Sequence, residues 1–177
     1  MKKVILFIAT SLDGFIAGEN GNINWLFHDV DYNYTSFLKT IDTVIMGRKT
    51  YEVAKGFEPL PYVGKKKIVF TNQKRIAEQE TEFVQDPIKV VEKLKKEQGT
   101  NIWLVGGTEI ITLLMNKNLI DECIISIHPI LLGKGIPLFK DVKANLKFIK
   151  EETFESGLIQ LSYEKKSTSY SVEQLQE

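Results

Sequence analysis

Cationic and hydroxyl residues follow a short apolar run in the segment VIMGRKTY, residues 44–51. A short apolar run is typical of a buried strand, and a helix often begins just after a small or hydroxyl residue. The segment therefore predicts a strand that ends at Gly47 and a helix that begins near Arg48, Lys49 and Thr50. Helix N-termini attract anions, and arginine can hold a phosphate through two parallel hydrogen bonds, so the chemistry indicated here is phosphate binding.

Two further strand ends carry groups that suit a phosphate. In IWLVGGTEI, Gly106 and Gly107 follow an apolar run and would let a ligand approach the backbone closely. In IVFTNQKR, Thr71 and Asn72 precede a lysine and an arginine, and such donors suit a phosphate monoester. Taken singly, the first is equally a tight turn, and the second is more simply a solvated basic turn. At one edge of a sheet, however, the three segments could hold a pyrophosphate and a further phosphate.

The sequence lacks the signatures of several other kinds of site. It contains neither a G-x-G-x-x-G dinucleotide fingerprint nor a phosphate-loop motif. Its two histidines, His28 and His128, form no ligand-spaced pair, and Cys123 is its one cysteine, so no metal site is predicted. Without a Gly-x-Ser-x-Gly motif, a covalent hydrolase has no support either.

Length and composition indicate one globular domain, which we place at residues 1–166, with a polar tail at 167–177. The 23 Lys and Arg residues balance 23 Asp and Glu residues, so no net charge attracts nucleic acid. The apolar run near the N-terminus is too short for a signal peptide, and no stretch reaches the roughly 18 residues of a membrane span. A lone cysteine in an apolar run suggests a buried, reduced thiol, and we expect a cytoplasmic protein.

Strand-like and helix-like segments alternate along the chain, which predicts a mostly parallel sheet flanked by helices. The last two strand-like segments alternate apolar and polar residues around Glu155, Ser156 and Gly157, and they predict an antiparallel hairpin. The predicted strands span 1–10, 43–46, 66–72, 82–85, 101–107, 121–131, 146–154 and 157–166. The predicted helices span 31–41, 49–54, 87–97 and 108–118, and residues 11–25 are expected to form a loop.

In their order along the chain, these segments resemble the dihydrofolate reductase-like superfamily, from roughly Met1 to Lys165. The segments are FIATSLDGFIAG, DTVIMGRKTYE, IVFTN, IWLVGGTEI, LIDECIISIHPILLGKGIPLF and the final hairpin. The Ser-Leu-Asp-Gly turn and the Pro-x-Leu-Leu-Gly-x-Gly block are most similar to the branch containing the reductase domain of bacterial riboflavin biosynthesis. The resemblance implies a three-layer α/β fold, with a central, mostly parallel sheet between helices and a C-terminal antiparallel hairpin.

The resemblance also implies an NADPH-dependent reductase. Gly47, Arg48, Lys49 and Thr50 match the family's first cofactor motif, in which the arginine reaches the adenosine phosphate while main chain and hydroxyl meet the pyrophosphate. The other matches are Thr71 and Asn72 at the ribose phosphate, Gly106, Gly107 and Thr108 beneath the pyrophosphate, and Ala9 and Ile16 beside the nicotinamide. The extra phosphate of NADPH would explain why cationic and hydroxyl groups follow two neighbouring strands.

A site for hydride transfer also needs a proton source and a wall for the substrate. Asp13 of the Ser-Leu-Asp-Gly turn is the first candidate acid, although Asp-Gly is also a common turn pair. Asp31 lies close to the position of the acidic pterin-binding residue of dihydrofolate reductases; Asp29 competes with it, and helix capping is the alternative for both. Trp25 and Phe27 could stack on a flat heterocycle or cover the core, and HPILLGKGIPLF could line the pocket or merely cross the sheet edge.

The activity closest to these features is that of 5-amino-6-(5-phosphoribosylamino)uracil reductase, acting on a small heterocyclic or phosphoribosylamine-type substrate. No set of arginines for the ribityl phosphate of that pathway stands out, so the substrate stays open. The alternatives are a dihydrofolate reductase and, outside the enzymes, a non-catalytic NADPH-binding or sensing protein. We also expect a homodimer, because pairing would cover the apolar edge of the terminal hairpin.

Overall fold

The short apolar runs become the strands of an eight-stranded sheet in the computed structural model, which describes residues 1–57, 61–73 and 80–166. The predicted tail at 167–177 and the predicted cations Lys74 and Arg75 lie outside these residues. In chain order the strands are β1 (Val4–Ser11), β2 (Phe15–Ala17), β3 (Ile41–Gly47), β4 (Lys66–Phe70), β5 (Thr81–Val84), β6 (Asn101–Gly106), β7 (Glu122–His128), β8 (Ile136–Pro137), β9 (Leu146–Thr153) and β10 (Ile159–Lys165). Strands β2 and β8 form a separate pair, and the others form the eight-stranded sheet. The helices are α1 (Tyr34–Lys39), α2 (Arg48–Ala54), α3 (Pro87–Lys96) and α4 (Thr108–Asn116).

The strand order in the main sheet is β5-β4-β3-β6-β1-β7-β10-β9. The strands from β5 to β7 in this order are parallel, and β10 runs antiparallel to both β7 and β9. The predicted architecture, a mostly parallel sheet closed by an antiparallel C-terminal hairpin, is confirmed. Because the parallel strands share one direction, their carboxyl ends all lie at the same edge of the sheet.

Alternate residues of the strands are buried on opposite faces of the sheet, as a period of two requires. Ile5 and Trp103 pack in one apolar cluster with Phe37 of α1, and the same cluster contains a residue of α2. Leu6 packs in a second cluster with Leu114 of α4, and α3 also contributes to this cluster. The sheet is therefore the middle of three layers, and we call the side covered by α1 and α2 the α1 face.

Local sequence signals account for the clearest helix. The side chain of Asp86 accepts a hydrogen bond of 3.1 Å from the backbone N–H of Lys89, and Pro87 occupies the first helical position of α3. Both features are favoured at helix N-termini, since the aspartate satisfies an N–H that the helix cannot and proline has no N–H to leave unsatisfied. The predicted start of this helix is confirmed.

Ion pairs between chain segments fasten the amino edge of the sheet. Lys2 Nζ lies 2.6 Å from Asp42 Oδ1, and the Lys2 side chain is only 4% exposed. The other Asp42 oxygen accepts a hydrogen bond from Thr100 N, and Lys95 Nζ lies 2.6 Å from Asp121. Charged groups at this edge therefore neutralise one another, which indicates a structural role for it.

The predicted helix at residues 31–41 is wrong at both ends. The helix is confined to Tyr34–Lys39, because Tyr32 and Asn33 have left-handed φ angles of 45° and 64°. At the other end, Ile41 belongs to β3, where it pairs with Asn101 of β6. Apolar spacing extended the prediction into a strand whose first residue happened to fit the helical period.

The predicted loop at residues 11–25 contains a short strand, β2, which pairs with β8. With three and two residues, these strands are too short for an alternating pattern to reveal them. Their pairing fastens the loop after β1 to the loop after β7. Cys123 of β7 is buried as predicted, and burial raises the pKa of its thiol to about 12.

Candidate functional site

The strand ends with predicted phosphate-binding residues are neighbours in the sheet. Gly47 at the end of β3 pairs with Phe70 at the end of β4, and Met46 pairs with Gly106 at the end of β6. Arg48, Thr71 and Gly107 each come one residue later in the chain. Since adjacent strands lie about 4.8 Å apart, the structure brings the three segments together along one short stretch of the sheet edge.

The glycine turn after β6 faces the turn after β3 at van der Waals distance. A Cβ atom on Gly107 would lie 3.5 Å from Thr50 Oγ1 and 3.7 Å from the Gly47 Cα atom. Gly107 has a φ of 97°, a conformation that side-chain-bearing residues rarely adopt. A glycine is therefore favoured at this position by backbone conformation, and the two turns approach each other closely there.

Two helices begin at these turns with their first N–H groups towards the same edge. Gly47 is the N-cap of α2 and Gly107 is the N-cap of α4. No side chain within the described residues caps either helix. Uncapped N-termini leave backbone donors and a positive end of the helix dipole, which together favour an anion.

The predicted side chains at these turns differ in how the structure uses them. Arg48 is half-buried, and the described part of the chain pairs it with no carboxylate. Thr71 is held by the edge of the sheet, because its N–H donates to Val84 O and its Oγ1 accepts from Gln73 N at 3.1 Å. The Thr108 hydroxyl donates to the Pro137 carbonyl, so it fastens β8 to the start of α4. Lys49 and Asn72 are exposed, and Thr50 is half-buried.

The residues predicted to line the nicotinamide lie one strand further along. Ala9 is near the end of β1, the strand beyond β6, and pairs with Ser126 of β7. Ile8 Cδ1 lies 3.6 Å from the position that a Cβ on Gly106 would take, so β1 and the glycine turn are in contact. Ile16 lies on β2 and packs against the core on the face opposite α1. The predicted contacts thus run in order across β4, β3, β6 and β1, a span of about 14 Å.

Asp13 fastens the loop that follows β7. Its carboxylate accepts hydrogen bonds from Ser11 Oγ at 2.6 Å, Gly133 N at 2.7 Å and Leu132 N at 3.2 Å. The hydrogen bond from Ser11, helped by those from the loop backbone, lowers the pKa of Asp13. An ionised carboxylate has no proton to donate, so these contacts favour a positioning role for Asp13 over the predicted role of acid.

The two candidate carboxylates before α1 are also engaged by the protein. Asp31 accepts hydrogen bonds from the backbone N–H of Thr35 at 3.1 Å and from its hydroxyl at 2.5 Å, which is the capping role weighed as the alternative. Asp29 accepts a hydrogen bond of 2.6 Å from Tyr32 Oη, which lowers the pKa of the carboxyl. Both aspartates are exposed, and these hydrogen bonds come from residues of their own segment.

Aromatic side chains on the α1 face form a wall beside Ala9 that the sequence did not reveal. The ring of Phe7, two residues before Ala9, lies 4.4 Å from that of Phe37 and 6.2 Å from that of Trp103. Tyr34 stacks at 6.5 Å from Phe7 and is partly exposed. A flat, apolar substrate surface would be well matched by this wall.

A polar group of side chains continues the same face across β7 and β10. Gln160 Nε2 donates to Ser126 Oγ at 3.0 Å, and Asn33 Nδ2 donates to Gln160 Oε1 at 3.3 Å and to Glu152 Oε2 at 3.0 Å. Ser126 and Gln160 are buried. Polar residues inside the apolar runs IISIHP and LIQLSYE were the available signal for this group.

His128 lies at the end of β7 and contacts both aromatic residues predicted to face the substrate. Trp25 and Phe27 approach the imidazole edge-on, with ring centroids 5.2 Å and 4.9 Å away. Burial lowers the pKa of His128, so the ring is neutral at neutral pH. Trp25 and Phe27 therefore cover this end of the sheet in the structure.

Among the described residues, no group of three or more His, Cys, Asp and Glu side chains could hold a metal ion. Across the same residues, none of the helices has the length and apolar character needed to cross a membrane.

Comparison with protein families and sequences gives related chains of similar length. A family model described as the RibD C-terminal domain matches residues 2–160. A Bacillus subtilis (strain 168) protein named Uncharacterized protein YyaP is 41% identical over 178 residues, with coverage of 92% of this chain and 94% of that protein. A Caenorhabditis elegans protein named Putative dihydrofolate reductase is 30% identical over 134 residues, which is 69% of each chain.

Solved structures with the same fold include proteins named for riboflavin biosynthesis and a dihydrofolate reductase. A putative riboflavin biosynthesis protein from Shewanella sp. PV-4 superposes with a TM-score of 0.82 at 30% identity, covering 93% of this chain and 99% of that one. Dihydrofolate reductase from Enterococcus faecalis, complexed with NADP(H) and RAB-propyl, gives 0.71 at 18% identity, with 93% and 97% covered. A Thermotoga maritima diaminohydroxyphosphoribosylaminopyrimidine deaminase/5-amino-6-(5-phosphoribosylamino)uracil reductase gives 0.71 at 15%, with 93% and 56% covered. At such identities the last two show the fold alone, which is dihydrofolate reductase-like.

Proposed function

The chain belongs to the RibD C-terminal domain family, and we propose that it is an NADPH-dependent reductase of a small heterocyclic or phosphoribosylamine-type substrate. The family and the structural neighbours indicate a reductase-like oxidoreductase. The closest named activity is 5-amino-6-(5-phosphoribosylamino)uracil reductase, which the name of the Thermotoga maritima neighbour carries.

One observation carries the proposal: the turn at Gly47–Thr50 and the turn at Gly106–Thr108 meet at the carboxyl edge with Arg48 beside them. Backbone N–H groups at the starts of α2 and α4 would hold the pyrophosphate at the edge where the two turns meet. Arg48 would pair with the extra phosphate of NADPH at the neighbouring end of β4, where Thr71 and Asn72 lie. The donors are neutral or cationic, which fits a polyanionic cofactor.

The predicted position of the nicotinamide beside Ala9 leads directly to the α1 face. When bound, NADPH supplies a hydride to the substrate. The chain's own part is to orient and enclose: Phe7 and Tyr34 offer a flat wall, while Trp25 and Phe27 exclude water at the end of the site. Asp13 keeps the loop at residues 129–135 in place.

The features of the α1 face favour a flat, uncharged heterocycle as the reacting part of the substrate. Aromatic rings match a planar ring, and the polar group of side chains around Gln160 lies on the same face. Lys150 lies on this face opposite Ser162, but it is already 3.8 Å from Glu152. A phosphate on the substrate would therefore have to compete for this lysine.

Dihydrofolate reductase is the second candidate, and the Caenorhabditis elegans relative of that name favours it. It depends on Asp31 or Asp29 reaching the pterin. Both carboxylates already accept hydrogen bonds from Thr35 and Tyr32, so these bonds would have to be exchanged on binding.

The direct test is to titrate the protein with NADPH and NADH, and then to follow NADPH oxidation with candidate pyrimidines and pterins. We expect NADPH to bind at least about tenfold more tightly than NADH, because one charged hydrogen bond is worth about 1.5–3 kcal/mol. Turnover of a pyrimidine supports the proposed reductase, and turnover of dihydrofolate supports the alternative. Tight NADPH binding without any turnover would indicate a sensing protein, and absence of binding would contradict the proposal.

We further propose that two copies pair through the outer edge of the C-terminal hairpin. Strand β9 is the last strand of the sheet, and Phe148 and Ile149 on it are 51% and 46% exposed. An exposed apolar edge strand is usually covered in solution. Light scattering should give the mass of two chains, and the mass of one chain would contradict the pairing.

A further inference from the structure

His128 occupies a position from which it can control access to the α1 face. It is the last residue of β7, pairs with Ser11 of β1 and is 3% exposed. Ser126 and Ala9, which pair two residues earlier, have their side chains on the same face. Two residues of strand span about 6.7 Å, so His128 lies that far beyond the predicted nicotinamide position.

The hydrogen bonds of His128 define its tautomer. Nδ1 lies 3.2 Å from the Ser126 carbonyl oxygen, which can only accept, so Nδ1 carries the proton. Nε2 lies 3.2 Å from the Phe27 backbone N–H, which can only donate, so Nε2 is the unprotonated nitrogen. A second proton on Nε2 would place two donors against each other and break the bond to Phe27.

The segment that this bond holds is residues 18–27, which we call the cover loop. Trp25 and Phe27 of the cover loop pack edge-on against the imidazole. Trp25 Nε1 is buried without a hydrogen-bond partner, the one side-chain nitrogen or oxygen of this kind among the described residues. A buried donor without a partner is unfavourable, so exposing Trp25 Nε1 to water would favour an open cover loop. The contacts of His128 with Phe27 and Trp25 oppose this opening.

We propose that neutral His128 positions the cover loop over the substrate end of the site, and that protonation of His128 releases the loop. That the cover loop lies over a substrate site rests on the proposed reductase function, whereas the movement of the loop does not depend on it. His128 is thus a positioning residue, and it acts through Trp25 and Phe27.

The direction of the pH dependence follows from the surroundings of His128. Within the described chain, the titratable groups that interact with it electrostatically are His28 and Asp29, both in the segment that follows the cover loop. Burial is the largest effect on the pKa of His128 and lowers it. Hydrogen bonds with the backbone of Ser126, on the same strand, and of Thr10, on β1, raise this pKa, as does the charge of Asp29. Burial outweighs them and keeps the pKa below the ordinary value of 6.5. The closed loop is therefore complete above pH 6.5 and is lost as the pH falls through the lowered pKa.

Two amide substitutions of His128 test the roles of its two ring nitrogens separately. Glutamine extends about as far as Nε2, so His128→Gln can still accept from the Phe27 N–H but cannot titrate. Asparagine is shorter, so His128→Asn can approach the Ser126 carbonyl but leaves Phe27 N–H without an acceptor. Thermal unfolding of both variants controls for folding; where His128→Asn does not fold, wild type and His128→Gln across pH decide the question.

The readout is acrylamide quenching of tryptophan fluorescence in the protein without cofactor, at pH values from about 8 down to 5.5. Trp25 and Trp103 are the two tryptophans, and a Trp25→Phe variant identifies the Trp25 signal. We expect wild-type Trp25 to become more accessible with a midpoint below pH 6.5. His128→Gln should stay protected throughout, and His128→Asn should be accessible throughout.

The same variants link the loop to the site through NADPH titration. At about pH 8, NADPH affinity should fall about fivefold in His128→Asn, the effect of one neutral hydrogen bond, and by less than twofold in His128→Gln. A Trp25 accessibility that does not change with pH in the wild type, or that is equal in the two variants, would overturn the proposal. If Trp25 accessibility depends on pH but NADPH does not bind, the result supports the proposed loop movement and contradicts the proposed function.

Discussion

Replacing Arg48 by alanine should weaken NADPH binding about 10- to 150-fold while leaving NADH binding within about twofold. Arg48 is half-buried at the start of α2, and the structure pairs it with no carboxylate among the described residues. A hydrogen bond to a charged partner contributes about 1.5–3 kcal/mol, which corresponds to this range of affinity. Because NADH lacks the extra phosphate, its binding should not depend on the guanidinium. Isothermal titration calorimetry with NADPH and with NADH measures both affinities in the wild type and the variant.

Lys49→Ala is the matched control for Arg48→Ala. Lys49 is the next residue of the same helix, and it is exposed. An exposed lysine should change nucleotide affinity little, because solvent and salt screen its charge. If Arg48→Ala and Lys49→Ala lower the affinity equally, or if NADH binding falls as far as NADPH binding, Arg48 does not hold the distinguishing phosphate.

The second large effect is expected for Gly107→Ala, which should weaken binding of both nucleotides on the order of 100-fold. The new methyl group would lie 3.5 Å from Thr50 Oγ1, between the two turns and beside the proposed position of the pyrophosphate. The φ of 97° would also be strained by about 1–3 kcal/mol, and a turn that relaxes this strain moves its N–H groups away from the ligand. Loss of NADH binding together with NADPH binding distinguishes this effect from that of Arg48→Ala.

Gly64→Ala is the control for backbone strain alone, away from the proposed binding turns. Gly64 also has a positive φ, of 71°, but a Cβ there would meet nothing within 4 Å. Both variants should lose stability in urea unfolding, whereas only Gly107→Ala should lose nucleotide affinity. Equal loss of affinity in the two variants would mean that the turn after β6 has no special part in binding.

The sequence was most informative where the structural cause is local. The apolar runs of β3 and β6, the glycines after them and the Asp86-Pro87 cap are short-range features, and each is found where it was predicted. The prediction that three strand ends share one edge needed only the rule that parallel strands point the same way. Those parts of the fold could therefore be derived before the structure was known.

Features fixed by distant partners could not be read in this way. The late start of α1 depends on Tyr32 and Asn33, whose side chains bond to Ser156, Glu152 and Gln160 more than 100 residues later. No local pattern announces left-handed residues that are held by a hairpin at the other end of the chain.

The contacts of the Asp13 carboxylate in the candidate site were likewise set by residues distant in the sequence. Its residue type and its glycine neighbour suited both an acid and a turn, and the sequence could not separate them. Backbone N–H groups of Leu132 and Gly133, which come from a different loop, decide what the carboxylate contacts. Chemical roles that depend on which groups surround a side chain require the tertiary structure.

A crystal of the protein soaked with NADPH would show directly whether the turns after β3 and β6 bind a pyrophosphate. We expect density for the pyrophosphate against Gly47–Thr50 and Gly106–Thr108, with the extra phosphate within hydrogen-bond distance of Arg48. Clear density for NADPH at any other part of the surface, with none at these two turns, would mean that they do not form the cofactor site.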